Sequence, residues 1–275
     1  MLKNLALGQI SYINCLPLNM QIEAYLKQPS ELSKLAASEL FKKYNFTDLN
    51  IELTSAVPSK LNQLLNAGKV DLGPISSYEY LIHKEKYDLL NTVCISAKKE
   101  VDSVFFVTDS LENLEKIYIT DQSATSFNLL KVLLKFKYNY DLSKLEFVKV
   151  SDYTKAYSNQ LIIGDDALKL DQGRYQLVLD LACEWYEFTK GYPMVFGVWA
   201  ANKSSNLDTD LLSQAFGDMI NFSLSAESEK LIYLAKKITN LETEILERYF
   251  KKLDYDFNEK KHKSLSLFNS YLEKI

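Results

Sequence analysis

The chain has 275 residues, 47% of them hydrophobic and 25% charged, enough to bury a sizeable core in one large domain or two of ordinary size. Its 32 basic and 36 acidic side chains leave a formal charge of −4, which excludes an overall field drawing the protein to nucleic acid. No apolar run approaches the roughly 18 residues of a membrane span, so no membrane partner is expected.

Arginine occurs only at Arg174 and Arg248. A carboxylate ligand would therefore find few bidentate guanidinium clamps and would have to rely on hydroxyls and helix N-termini. Cysteines stand at Cys15, Cys94 and Cys183, without a CxxC pair and with only His83 and His262 beside them. That inventory argues against a zinc cluster, and no metal is expected. Unpaired, widely spaced thiols suit a reducing compartment, and the opening Met1 to Leu7 lacks a sustained apolar signal region, so the expected location is the cytoplasm.

Short apolar runs alternate with segments of helical period, the pattern of α/β architecture. Strands are expected over Leu5–Ile10, Asn50–Thr54, Val70–Leu72, Leu89–Ile95, Ser103–Thr108, Lys116–Ile119, Leu161–Ile163, Leu177–Leu179 and Met194–Trp199. Between them a helix is expected over Ser59–Asn66, with Leu61, Leu64 and Leu65 on one face and Gly68 where a helix end needs a left-handed residue. Phe127, Leu130, Leu133 and Leu134 mark a second helix. Beyond about Ala201 the pattern turns helical with hardly any strand signal, and Thr239 with Glu242 reads as a capping box. If the chain makes two lobes, residues 1–97 plus 202–275 form one and 98–201 the other, with Lys98-Lys99-Glu100 as the polar crossing.

Four segments place polar side chains where strands give way to helices, the usual ligand edge of an open α/β sheet. Ser11 to Leu18 follows the first strand and makes Asn14 a candidate, against a simple turn reading in which Asn14 bonds its own backbone. Cys15 beside it has no histidine nearby and reads as an inert thiol. Asp71 to Tyr80 offers Ser76 or Ser77 as a helix cap or an anion contact. Ser123-Ala124-Thr125-Ser126 sets three hydroxyls at a helix start with no acid among them, the best local anion site in the chain. Asp165 and Asp166 follow a buried strand, where one cap and one solvated neighbour compete with a general base or an acceptor facing a cleft. Walker, GxGxxG, GxSxG and HExxH signatures are absent, so no stored nucleotide, flavin or metal cofactor is supported. Trp185 and Trp199 read as core or as a ring-binding floor.

Taken in order, Ser11-Tyr12-Ile13-Asn14-Cys15-Leu16-Pro17-Leu18, Asp71 to Ser76, Ser123 to Ser126, Ile163 to Leu168, Asp180 to Trp199 and Tyr249 to Tyr255 resemble the chorismate dehydratase family of the futalosine route to menaquinone. The resemblance covers nearly the whole chain. It implies a two-lobed, type II periplasmic-binding-protein-like fold with an interlobe cleft and a helical C-terminal segment. It implies chorismate as small-molecule substrate, a hydro-lyase reaction giving 3-[(1-carboxyvinyl)oxy]benzoate, and no cofactor. By motif matching, Asn14 and Asp165 would be catalytic, and Ser76, Ser103, Ser123, Thr125 and Ser126 would bind substrate. Since no histidine lies in these motifs, the substrate's own enolpyruvyl carboxylate is one candidate base, with Asn14 orienting the ring. The chain departs from the family pattern at Ala124, where many relatives carry arginine, and lacks the usual glycine in the Ile95 to Glu100 crossing. Two alternatives share the fold: a binding protein that captures a small carboxylate, and the lyase acting later in the same pathway.

Overall fold

The computed structural model describes residues 3–26, 42–44, 49–120, 123–150 and 157–275; Met1 and Leu2, part of the opening segment discussed above, lie outside them. The first strands are β1 (Lys3–Ile10), β2 (Leu49–Ala56), β3 (Leu72–Ser76) and β4 (Tyr87–Ala97). They are followed by β5 (Val104–Thr108), β6 (Lys116–Ile119), β7 (Glu146–Lys149), β8 (Asn159–Ile163) and β9 (Leu177–Asp180), and then by β10 (Val195–Asn202) and β11 (Leu253–Asp256). The helices are α1 (Leu16–Leu26), α2 (Pro58–Asn66), α3 (Ser77–Ile82), α4 (Ala124–Phe136), α5 (Gly164–Leu168), α6 (Leu181–Phe188), α7 (Thr209–Leu224), α8 (Ser228–Thr239), α9 (Thr243–Lys252) and α10 (Glu259–Leu272).

The strands form two sheets, ordered β11-β4-β10-β3-β1-β2 and β7-β6-β8-β5-β9. In the first, β1 runs parallel to β2 and β3; in the second, β6 runs parallel to β7 and β8. Each sheet also takes in the strand that follows a passage of the chain from the other sheet. β5 inserts antiparallel between β8 and β9, and β10 antiparallel between β3 and β4. A chain arriving from the other sheet starts at the edge where the parallel strands end, so it can only run back against them. Val104 accordingly faces Ile163 at the carboxyl end of β8, and Gly197 faces Ser76 at the carboxyl end of β3. The carboxyl ends of the parallel strands and the amino ends of the two inserted strands thus meet along one line between the sheets.

Local chemistry explains the helix starts. Pro58 occupies the first turn of α2, where its missing N–H costs nothing, and Gly68 beyond the end takes φ +65° as expected. Ser76, Ser123 and Asp180 cap α3, α4 and α6 by accepting backbone N–H bonds. β5 is buried along its whole length because helices cover both faces of its sheet, which is why it reads as an unbroken apolar run.

Three expectations need correction. β10 lies before residue 202 yet belongs to the six-stranded sheet, so the chain returns to the first sheet near residue 194 rather than 201. The tail contains a strand, β11, pairing with β4 at the edge of that sheet, which four residues of alternating burial did not announce. Thr239 ends α8 instead of opening α9: its Oγ1 donates to the Ala235 carbonyl and accepts the Leu241 N–H. The C-terminal helix α10 reaches the helices of the second sheet, where Phe268 meets the fully buried Trp185 edge-on at 5.7 Å and Ser264 accepts the indole N–H at 3.0 Å.

Candidate active site

A cleft that opens to solvent lies on the line where the two sheets meet. Its walls are set by topology. Ile10 ends β1, Ser76 ends β3 and Ile163 ends β8, while Val104 opens β5 and Phe196 and Gly197 open β10. Helix starts converge on the same space: Asn14 and Cys15 in the 3-10 turn leading into α1, Pro58 at the first turn of α2, and Ser123 and Ser126 at that of α4. Free N–H groups and the positive dipole ends of these helices favour an anion. No Lys, Arg, His, Asp or Glu is among the described residues that line the cleft. Its chemistry is therefore that of hydroxyls, amides and an apolar lining that includes Ile75, Ile95, Val101, Phe196 and Leu253.

The candidate residues divide. Asn14, Ser76, Ser103, Ser123 and Ser126 all line the cleft. Asn14 Oδ1 is buried and has no hydrogen-bond partner among the described residues, and its backbone carbonyl accepts the Tyr255 hydroxyl at 2.8 Å. Ser76 also does structural work, with Oγ accepting the Glu79 N–H and an Asn62 Nδ2–H, both at 3.1 Å. Ser123 Oγ donates to Ser126 Oγ at 2.8 Å and accepts the Ser126 N–H at 3.2 Å. Thr125 does not line the cleft. It is fully buried and its Oγ1 accepts the Tyr78 N–H at 3.1 Å, joining the start of α4 to α3. Successive residues on a helix point about 100° apart, and here that rotation turns Thr125 toward α3 while Ser126 reaches the cleft.

Asp165 stands beside lining residue Gly164 and spans the gap between the sheets, its carboxylate accepting the Ile13 N–H. Burial pushes this carboxyl above its ordinary value, and the Ile13 bond pulls it partly back. A carboxyl raised on folding adds stability below its ordinary value and loses it as pH rises through the raised one. The Tm of Asp165→Asn, followed by circular dichroism from acid to neutral pH, should therefore lack the decline that the wild type shows across that window. Gly164 itself takes φ +65°, and a side chain there would meet the Tyr12 ring at 3.4 Å, so the Tyr12 ring packs directly against the Gly164 backbone. Burial, with the neighbouring Asp165 charge, pushes the Cys15 thiol far up and leaves it unreactive.

Sequence reasoning missed Tyr249 and Tyr255. Both are buried on the segment under the cleft, where Tyr249 Oη donates to Ser103 Oγ at 3.2 Å. Their only sequence signal was their place in the Tyr249 to Tyr255 motif, since two tyrosines beside a lysine-rich helix carry no spacing of their own. Neither tryptophan lines the cleft; Phe196 is the aromatic side chain from β10 that does. Among the described residues no group of three or more His, Cys, Asp or Glu is placed to hold a metal ion. No helix among them is long and apolar enough to cross a membrane.

Known proteins agree with this architecture. A family model described as menaquinone biosynthesis matches residues 5–274. The chain is 31% identical over 210 residues to a protein of Campylobacter jejuni named chorismate dehydratase, covering 75% of this chain and 72% of that protein. It is 34% identical over 172 residues to one of the same name from Thermus thermophilus, covering 54% of this chain and 61% of that protein, so that match spans less than two thirds of the Thermus chain. In fold it is similar to a crystallised protein of Archaeoglobus fulgidus, with TM-score 0.71 at 16% identity and 98% and 97% of the two chains covered. It is also similar to the periplasmic aliphatic sulphonate-binding protein of Escherichia coli, with TM-score 0.58 at 12% identity and 99% and 92% covered. The inserted strands of both sheets are thus the plan of a periplasmic-binding-protein-like fold, and the family match over residues 5–274 makes this chain a member of the menaquinone-biosynthesis family, among the chorismate dehydratases.

Proposed function

We propose that the protein removes water from chorismate to give 3-[(1-carboxyvinyl)oxy]benzoate. The proton on the ring carbon bearing the ether leaves to a base, its electron pair closes the new ring double bond, and the neighbouring hydroxyl departs to complete the water. Aromatisation drives the step, so the protein's task is to hold the ring, pair its two carboxylates and exclude solvent. The observation carrying this reading is the buried, unpartnered Asn14 Oδ1 in a cleft of hydroxyls and helix N-termini. An acceptor that no described protein group pairs with is available to a substrate hydroxyl. The apolar lining matches a carbocyclic ring, and the helix starts match its carboxylates. A cytoplasmic location fits the three free cysteines.

Purified protein given chorismate without added nucleotide or metal should yield a product lighter by one water, with a benzoate absorption spectrum, detected by mass spectrometry. Chorismate bound and returned unchanged would favour the rival reading, a binding protein, which the sulphonate-binding neighbours make a fair alternative. Chorismate neither bound nor altered would remove both.

For the base we favour the substrate's enolpyruvyl carboxylate over Asp165. The Asp165 carboxylate is already engaged by the Ile13 N–H, an arrangement that suits a clasp between the two sides of the cleft. Asp165→Asn keeps an acceptor for that N–H and removes the basicity, so kcat should change by less than about threefold. A collapse of kcat with chorismate affinity intact would make Asp165 the base.

A further inference from the structure

We propose that Tyr249 is a positioning residue whose phenol aims the Ser103 hydroxyl at a substrate carboxylate; this rests on the dehydratase reading and names part of its recognition. Tyr249 is 2% exposed, and among the described residues its hydroxyl has one partner, Ser103 Oγ. A phenol buried this deeply must place its proton on that oxygen or leave a donor unpaired. Ser103 then holds an accepted bond from below and keeps its own proton. Its Oγ donates to no other described residue, and Ser103 lines the cleft at the entry to β5. The proton can only point into the cleft, where a carboxylate oxygen is the acceptor that suits it.

The backbone holds this geometry. The Ser103 carbonyl accepts the Gly164 N–H at 2.8 Å, so β5 and the start of α5 are locked together at that point. Asp180 accepts the Val101 and Asp102 N–H groups through one oxygen, both at 2.8 Å, and the Ala182 and Cys183 N–H groups through the other. The segment entering Ser103 is therefore anchored on both sides, leaving the hydroxyl rotation as the free variable. Tyr249 removes it. A charge-assisted bond from a neutral hydroxyl also compensates for the lack of any cationic side chain among the described lining residues.

A double-mutant cycle tests the assignment, using steady-state turnover of chorismate and calorimetric binding of the benzoate product. Ser103→Ala should raise KM and the product Kd about tenfold, the cost of a hydrogen bond to a charged group, with a smaller change in kcat. Tyr249→Phe keeps the ring in place and should raise both about threefold, because the Ser103 proton is no longer directed. In the Ser103→Ala background Tyr249→Phe should add nothing. Tyr249→Leu, made in parallel, should lower Tm, whereas Tyr249→Phe should shift affinity with little change in Tm. Equal penalties from Tyr249→Phe in both backgrounds, or a loss confined to Tm, would overturn the positioning role while leaving the dehydratase reading intact. A wild type that neither turns over chorismate nor binds the product would overturn the reading and this contact with it.

Discussion

Asn14→Ala is expected to lower kcat by about 10²- to 10³-fold without lowering the thermal transition. The two halves of that expectation come from one atom. Asn14 Oδ1 is buried and has no partner among the described residues, so removing it breaks no hydrogen bond seen among them. An ordinary core asparagine would behave in the opposite way, losing bonds and stability together. The rest of the residue is held in place: its carbonyl accepts the Tyr255 hydroxyl, and the N–H of the preceding Ile13 is bound by Asp165. The side chain therefore projects from a fixed turn, and the amide can present an acceptor and donors to the ring substituents at once. Asn14→Asp is a second check, because it keeps the shape but adds a negative charge to a site meant for a dianion. It should raise KM as well as lower kcat, and unchanged kinetics in either variant would remove Asn14 from the mechanism.

The second large effect concerns stability. Lys261 on α10 is 1% exposed, yet its ammonium pairs with Asp254 at 2.7 Å and donates to the Asp256 carbonyl. Both partners lie on β11, which sits at the sheet edge and is otherwise short. Ser96 on β4 adds a bond to the Asp254 carbonyl at 2.7 Å. Removing the lysine deletes a buried stem and leaves the Asp256 carbonyl without its donor, while Asp254, 28% exposed, can regain water; the loss is about 2 to 4 kcal/mol. Lys261→Ala should therefore lower Tm by roughly 10 °C in a chain of this size, read by calorimetry or circular dichroism. Lys261→Met should lose less, because it keeps the packing of the stem. β11 also carries Leu253 on the cleft wall and Tyr255 beneath Asn14, so the same ion pair supports the floor of the site. A transition unmoved by Lys261→Ala would show that the edge strand is held by its backbone ladder alone.

What the amino-acid order determined by itself was local and short in range. Unbroken apolar runs such as Val104 to Thr108 gave away buried strands, and Ser123 announced a helix start through its capping chemistry. Gly68 marked a helix end because a left-handed residue was needed there. The ordered motifs around Asn14, Ser76, Ser126 and Asp165 also carried the family resemblance, and each sits at a strand-to-helix junction at or beside one cleft. Pairing over long separations was decided only by the tertiary structure. Whether the Val195 strand joins the sheet before or after it depends on hydrogen bonds to β3 and β4, about a hundred or more positions upstream, which no local period encodes. The same holds for β11, whose four residues become a strand only because β4 offers an edge. The separation of Thr125 from Ser126 followed from helix rotation relative to α3, and the roles of Tyr249 and Tyr255 from a tail that folds back beneath the cleft. Backbone propensity and side-chain period act over a few residues, whereas a site is made where distant segments exclude water from one another, and only the packed chain specifies which polar atoms remain there without partners.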